Sequence, residues 1–264
     1  MDLATASLLL FAGLCAGFLA GLFGIGGGVV LIPIYWFLFD KMGASHELSV
    51  KLSVATTLAT IAVTTLFTSL SHLSRGNIEK RELLRLFAYS LPGIAAGVFL
   101  ASKIPALLLK KLFAALLVIT GLKTFSGKRR EASARVPKSP YIIPLSVSLS
   151  AFLSALLGIG GGIVVNSILL NASSLSAERV VAIASLSSFI NALLGALLYL
   201  FVPAPKLFPL QIGLVYLPAA LLVSVGAVAG SKVGLFLLDR LNRRLLKRAF
   251  ALLLIVVGVK ILLK

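Results

Sequence analysis

One glycine pentapeptide occurs in each half of this chain. Gly24-Ile-Gly-Gly-Gly28 is followed by two valines, and Gly158-Ile-Gly-Gly-Gly162 recurs 134 positions later, followed by Ile-Val. Each copy lies inside a long apolar stretch, where adjacent glycines let a helix break and reverse. Repeated breaks inside two hydrophobic segments are typical of a membrane transporter that is built from two related halves and binds its substrate where the breaks meet.

The composition indicates a membrane environment for the whole chain. Hydrophobic residues make up 59% of it and charged residues only 12%, against roughly 25% charged residues in soluble domains. Apolar runs of about 18 or more residues recur, which is the length needed to cross the hydrocarbon of a bilayer. The runs are continuous rather than alternating, which excludes a transmembrane β-barrel. The sequence therefore predicts an all-α, multi-pass protein of the cell membrane, in contact with the lipid bilayer.

The formal charge of +17 comes from loops rather than from a basic surface. The 25 Lys and Arg residues lie almost entirely between apolar runs. This is where residues that set membrane topology lie, so we expect no nucleic-acid partner. The N-terminus lacks the basic region of a secretory signal, and we expect no cleaved signal peptide.

Eight apolar segments are divided equally by one charged, proline-bearing stretch. The segments cover about 3–38, 49–73, 83–101, 105–122, 141–170, 179–202, 210–229 and 245–263. The stretch at 126–140 predicts a linker between a first transmembrane repeat at 1–125 and a second at 141–264. An internal duplication also explains the matched pairs Glu47 and Glu178, Leu91-Pro92 and Leu217-Pro218, Ser102-Lys103 and Ser231-Lys232, and Gly121 and Gly258.

The first segment of each repeat is too long for one straight span. As single helices, 3–38 and 141–170 would be about 54 Å and about 45 Å long. We interpret each as a helical hairpin with its glycines at the tip, and a strongly tilted single helix is the alternative. Hairpins place 17 Lys and Arg residues on one side of the membrane and 8 on the other, whereas simple crossings divide them 13 to 12.

The positive-inside rule favours the arrangement with hairpins. It predicts that the linker at 126–140 lies in the cytoplasm and that both termini lie outside. Five membrane elements per repeat is an odd number, so the second repeat would be inverted relative to the first. The two glycine tips can then meet near the middle of the membrane, as in transporters with inverted repeats and broken helices.

The glycine tips predict an anion site. A helix that begins after a break presents unpaired N–H groups and the positive end of its dipole. Adjacent glycines also let a ligand approach the backbone, so two facing breaks form a concave site for an anion. The alternative is that the glycines allow tight helix packing, the role we assign to Gly13, Gly17 and Gly21.

Small polar side chains follow in the next segment of each half. Within each segment these residues are spaced three and four positions apart, so they lie on one helix face. The positions of the first set correspond to those of the second set 131 residues later. The side chains can donate hydrogen bonds to an oxyanion or bond neighbouring helices. An amide in lipid needs a partner, which favours binding for Asn166 and Asn191. The predicted substrate-binding residues are Gly24, Gly26, Gly27, Gly28, Thr56, Thr57, Gly158, Gly160, Gly161, Gly162, Asn166, Ser187, Ser188 and Asn191.

Several other functions are disfavoured. All eight acidic residues lie at segment ends or in loops, whereas cation transporters and proton relays use buried carboxylates. We interpret His46 and His72, at segment ends, as interfacial. No embedded Ser/His or paired Asp arrangement supports an enzyme, and no nucleotide-binding segment supports an ATP-driven pump. The single Cys15 excludes a cysteine metal cluster within the chain, and we expect no metal and no cofactor.

The glycine motifs resemble those of a known family. The first motif with Pro33 five residues on, the second motif, and the Thr/Ser-rich helix that follows are similar to the sulfite exporter TauE/SafE family of membrane transporters. The resemblance implies export of a small anion such as sulfite, sulfoacetate or a related organosulfonate. An anion channel with the same pore chemistry is the alternative function. The second copy departs from the first because Asn166-Ser167 stands where the first has Ile32-Pro33.

Overall fold

Ten helices and one short hairpin of strands make up the described part of the chain. The computed structural model describes residues 3–23, 27–74, 79–125, 141–172, 175–238 and 243–263. Before the stretch at 126–140, which lies outside the described residues, the helices are α1 (Leu3–Phe23), α2 (Gly28–Lys41), α3 (His46–Ser74), α4 (Lys80–Lys103) and α5 (Ala106–Phe125). After it come α6 (Ile142–Leu157), α7 (Gly162–Ala172), α8 (Ala177–Leu200), β1 (Gln211–Ile212), β2 (Val215–Tyr216), α9 (Leu217–Leu238) and α10 (Arg243–Leu262).

Both long initial segments are broken at their glycines, as predicted. Helix α6 ends at Leu157, the next residue Gly158 caps it in the left-handed conformation with φ of 70°, and α7 begins at Gly162. Helix α2 begins after Gly27, which has φ of 75°. A side chain disfavours this backbone conformation, so glycine permits the break. The alternative of one long tilted helix is wrong for both segments.

The helices have the length and the surface of a membrane protein. Within the described residues, four helices are long and apolar enough to cross a membrane, at His46–Ser74, Arg81–Lys103, Glu178–Leu200 and Leu217–Gly234, and shorter apolar helices lie at Thr5–Ala20 and Ile142–Leu157. Large apolar side chains are about two-thirds exposed on the outer faces, among them Phe11, Leu84, Phe99, Leu145 and Val225. Such a surface suits lipid rather than water, and it agrees with a polytopic membrane protein.

Glycines bring two pairs of helices into backbone contact. Helix α1 packs along α9, and α4 packs along α6, while α5 pairs with α10 and α3 with α8. A Cβ on Gly13 would lie 2.3 Å from the carbonyl oxygen of Val223, and one on Gly17 would lie 2.1 Å from that of Ala227. The predicted packing role is therefore confirmed for Gly13 and Gly17, because any side chain there would separate the two helices.

The all-α prediction misses a short hairpin at the start of the 210–229 segment. Strands β1 and β2 pair antiparallel there, and α9 begins only at Leu217. Three prolines at 203, 205 and 209 cannot continue a helix. The side chain of Gln211 then holds the turn, because its Nε2 donates to the carbonyl oxygens of Pro205 and Gly213.

Candidate functional site

The two helix breaks touch each other in the interior. A Cβ on Gly28 would lie 2.8 Å from the carbonyl oxygen of Gly158, so the two backbones are in direct contact. Ile61 of α3 lies against both breaks. Its side chain would lie 2.8 Å from a Cβ on Gly28 and 3.0 Å from a Cβ on Gly160. The structure thus brings these three predicted glycines together, while Gly24 and Gly26 lie outside the described residues.

The helices that leave the two breaks begin in the same way. Gly27 and Gly161, 134 positions apart, precede α2 and α7 with φ of 75° and 81°. The carbonyl of Gly27 accepts hydrogen bonds from backbone N–H groups in the first turn of α2, at Val30 and Leu31, and that of Gly161 accepts from Val164 and Val165 in the first turn of α7. The first amides of each helix have no intrahelical partner and lie at the positive end of its dipole. Both breaks therefore offer donors to an anion.

A cavity of about 320 Å³ reaches both helix starts. Four of the predicted site residues line it, namely Gly27, Gly162, Asn166 and Ser188. The other polar side chains that line it are those of Thr64, Thr65, Thr68, His72, Ser185 and Ser231. Among the residues that the structure describes, no Lys, Arg, Asp or Glu lines this cavity. Its polar lining consists of hydroxyl, amide, imidazole and backbone groups.

Two side chains in the cavity keep hydrogen-bonding capacity for a ligand. In the described part of the chain, neither the Ser188 hydroxyl nor the Asn166 amide has a protein partner, and of the amide atoms it is Nδ2 that can donate to an anion, because Oδ1 only accepts. Three neighbouring hydroxyls are already used, because Thr64 and Thr65 donate to the Ile61 carbonyl and Ser231 donates to its own helix. Among the predicted site residues that line the cavity, Asn166 and Ser188 are therefore the side chains that can still donate to a ligand.

Asn191 lies behind the second break rather than on the cavity. Its side chain is fully buried, and its Nδ2 donates to the Ser150 hydroxyl at 3.0 Å. A Cβ on Gly161 would lie 2.5 Å from the Ser150 Oγ and 2.9 Å from the Asn191 Nδ2. This pair of side chains therefore packs directly under the Gly161 backbone and supports the shape of the break.

The other predicted polar residues are buried around the breaks. Thr57 and Ser187 are fully buried away from the cavity, and their hydroxyls have no partner among the described residues. The Thr56 hydroxyl accepts a hydrogen bond from the Tyr216 backbone N–H at 3.1 Å. This bond ties α3 to the end of the strand hairpin, so the Thr56 hydroxyl has a structural partner already.

Sequence reasoning missed the far end of the polar face of α3. Thr64, Thr68 and His72 line the cavity, although His72 was interpreted as interfacial and the two threonines were not singled out. The signal was available, because these residues continue the face of Thr60 at a spacing of four. The same polar face of α3, followed beyond Thr60, includes all three residues.

Comparisons with known proteins identify the chain's relatives. The family described as "Sulfite exporter TauE/SafE" matches residues 9–261. A probable membrane transporter protein of Haemophilus influenzae is 31% identical over 266 residues, covering 97% of this chain and 98% of that protein. The probable membrane transporter protein MJ0441 of Methanocaldococcus jannaschii is 30% identical over 259 residues, covering 97% and 95%. No solved structure matches the chain.

Proposed function

Because the chain belongs to the sulfite exporter TauE/SafE family of membrane transporters, we propose that it is a secondary transporter for a small sulfur oxyanion. Sulfite or an organosulfonate is the expected substrate, and export from the cytoplasm is the expected direction. The observation that carries the proposal is the contact between Gly28 and Gly158 beside a cavity with uncharged donors. Two helix starts that face one ligand supply backbone N–H groups and favourable dipoles without a permanent charge.

The proposed site contains two groups of residues, those that contact the anion and those that support the two breaks. Gly27, Gly162, Asn166 and Ser188 border the anion in the cavity. The remaining predicted positions among the described residues hold the two breaks in shape, and they are Gly28, Thr56, Thr57, Gly158, Gly160, Gly161, Ser187 and Asn191. An anion bound this way is held by many weak donors, which suits a substrate that must also leave.

We propose further that residues 1–125 and 141–264 are inverted repeats. The helix pairing supports this. If each of the helices α1–α5 is exchanged with its counterpart among α6–α10, the α1–α9 pair becomes the α6–α4 pair, which the structure also contains. The pairs α5–α10 and α3–α8 are each converted into themselves. The charge distribution of 17 Lys and Arg against 8 supports a cytoplasmic linker at 126–140 and termini outside.

A transporter is favoured over the alternative of an anion channel by the way the cavity ends. Thr64 and Thr65 line the cavity, whereas Ile61, one turn earlier on α3, packs against both breaks. The side chain of Ile61 and the backbones of Gly28 and Gly160 thus close the path beyond the cavity. A substrate reaches the far side only if these elements move, which is what alternating access requires.

Sulfite flux from loaded liposomes tests the proposal. The purified protein should release sulfite faster than protein-free liposomes, with thiosulfate, sulfate and taurine as competitors that define the substrate class. A transporter exchanges substrate, so sulfite outside should accelerate release of labelled sulfite from inside. Release that shows neither saturation nor acceleration identifies a channel, and the absence of flux for every anion in the panel overturns the proposal.

A further inference from the structure

The two helix starts at the large cavity together match the charge of a monoanion. Gly27, which precedes α2, and Gly162, the first residue of α7, both line this cavity. The two helices are 14 and 11 residues long. The start of such a helix is equivalent to roughly half an elementary charge, so two of them balance about one negative charge. A dianion at the same place keeps a second negative charge without compensation.

The interior position of the cavity makes the charge of the ligand important. The cost of moving an ion from water into a low-dielectric interior rises with the square of its charge, so a dianion costs about four times as much as a monoanion of equal size. The hydroxyl and amide groups of the lining donate hydrogen bonds but add no net charge. The electrostatics of the site therefore favour the singly charged form of an oxyanion that has two forms.

The Asn166 amide offers an acceptor as well as donors. Asn166 lines the cavity, and its Oδ1 is buried without a hydrogen-bond partner in the described part of the chain. Rotation about the Cβ–Cγ bond turns either Oδ1 or Nδ2 toward a ligand. A buried acceptor without a donor is unfavourable, so a ligand that contains an O–H group satisfies it. A fully deprotonated oxyanion has no such group.

The Ser188 hydroxyl supplies a donor beside this acceptor. Ser188 is 6% exposed, lines the same cavity, and has no protein partner among the described residues. Its Oγ lies 2.9 Å from where a Cβ on Gly160 would be and 3.5 Å from where one on Gly162 would be. The hydroxyl therefore lies directly on the second break, next to the start of α7. It can donate to one oxygen of a ligand while the amide accepts from another.

We propose that the cavity selects hydrogen sulfite, the singly protonated monoanion, over the sulfite dianion. The inference rests on the proposed function and specifies which form of the substrate the site binds. The O–H of the ion donates to the Asn166 Oδ1, and Ser188 and the two helix starts donate to its other oxygens. Sulfite exchanges this proton near neutral pH, so both forms are available in water. The proton then crosses the membrane with the substrate, and no acidic side chain has to relay it.

Protonation of a side chain is the competing source of any pH dependence. Of the two helices packed along α7, α6 contains no acidic, basic or tyrosine side chain. Helix α8 has Glu178 and Arg179 in its first turn, both exposed, and Arg179 pairs with Glu82. On the cavity itself, His72 of α3 is a lining residue, and Lys232 of α9 is exposed next to a lining serine. The imidazole of His72 is therefore the group that has to be distinguished from the substrate.

Sulfite flux at several pH values tests the charge of the substrate. Rates above those of protein-free liposomes should follow the concentration of hydrogen sulfite. A KM expressed in that ion should then stay constant, while a KM expressed in the dianion changes tenfold with each pH unit. His72→Gln should keep this dependence, because the proton belongs to the substrate. A KM that is constant in the dianion, or a dependence that His72→Gln removes, overturns the inference and leaves sulfite transport intact.

Ions of fixed charge test the same inference at one pH. Methanesulfonate is a monoanion without an O–H group, and sulfate is a dianion. Methanesulfonate should compete with sulfite at least tenfold better than sulfate does. Asn166→Leu should reduce the preference for hydrogen sulfite over methanesulfonate at least threefold, whereas Ser188→Ala, which removes a donor to both ions, should leave that preference unchanged. Equal competition by sulfate, or an unchanged preference in a folded Asn166→Leu protein, overturns the inference alone.

Titration calorimetry in detergent separates the inference from the proposed function. It measures binding of sulfite, methanesulfonate and sulfate without any need for flux. Binding of methanesulfonate in preference to sulfate, in a protein that transports no anion, supports the selective site and overturns the transport proposal. Binding of none of the three ions overturns both.

Discussion

Ile32 and Asn166 follow the two helix breaks at the same distance but lie in different surroundings. The Cδ1 of Ile32 is 3.1 Å from where a Cβ on Gly158 would be, whereas Asn166 lines the large cavity. The methyl group of Ile32 thus packs against Gly158 of the second break, whereas the amide of Asn166 borders the large cavity. Equivalent positions of the two halves therefore differ in polarity and in surroundings, and we expect them to respond differently to substitution.

Replacing Asn166 by Leu should weaken sulfite binding by about tenfold, which corresponds to about 1.4 kcal/mol. The substitution keeps the branched shape of the side chain but removes the amide that borders the cavity. Titration calorimetry and the KM of flux on the cavity side measure the effect. Ser167→Ala, at the next and exposed position, is the control and should match the parent. Equal affinity in the Leu variant and the parent would remove Asn166 from the site.

Gly161→Ala should both destabilise the protein and abolish transport. Left-handed backbone with a Cβ costs about 1–2 kcal/mol, and the new methyl group would overlap Ser150 and Asn191, which adds about 1–3 kcal/mol. The midpoint of thermal unfolding in detergent and the sulfite flux measure the two effects.

Gly43→Ala is the matched control for Gly161→Ala. Gly43 also has a positive φ, of 91°, but no atom lies within 4 Å of where its Cβ would be. It should therefore show the strain alone, with a smaller loss of stability and normal flux. If both variants lose the same stability and keep their flux, the packing under Gly161 has no role.

Asn191→Leu should reduce stability by about 1–3 kcal/mol, because it leaves the buried Ser150 hydroxyl without its donor. Transport should fall as the Gly161 break loses its support, while the residual affinity falls less than in Asn166→Leu. A double-mutant cycle with Ser150→Ala measures the coupling directly, and we expect about 1 kcal/mol. Additive effects of the two substitutions would contradict a shared role under the break.

Cysteine labelling tests the proposed orientation. Cys15 is exposed on α1, so it is first replaced by Ala. Single cysteines at positions 3, 130 and 264 are then treated with a membrane-impermeant reagent in intact cells. Positions 3 and 264 should react and 130 should be protected until the cells are permeabilised. The reverse pattern would contradict the inverted arrangement.

The helix breaks were predictable because glycine acts locally. Three adjacent glycines in an apolar run have few explanations, and a run of some 30 residues exceeds the length that a bilayer accepts. The hairpin at 211–216 was missed because its turn depends on Gln211, whose side chain bonds residues on both flanks. The periodicity of an apolar segment contains no signal of such a contact.

The site was predictable only in part, because whether a side chain faces the cavity or another helix depends on how the helices pack together. Asn166 and Asn191 are both amides in apolar helices, yet one borders the cavity and the other packs on Ser150. Lys110 lies in the apolar segment at 105–122, and only the structure shows that its side chain is buried with its Nζ over the Trp36 ring. These distinctions arise from tertiary contacts that a single sequence does not encode in its local pattern.

The contact of α1 with α9 also fixes an order of events during synthesis. Gly13 enters the membrane first, and the Val223 backbone that it touches is made about 200 residues later. At ordinary elongation rates of about 5–20 residues per second, α1 waits roughly 10–40 s for its partner. During that interval its glycine face is covered by lipid or by a temporary neighbour. A ribosome that stalls before α9 therefore leaves α1 in the membrane without the helix against which most of its packed face lies.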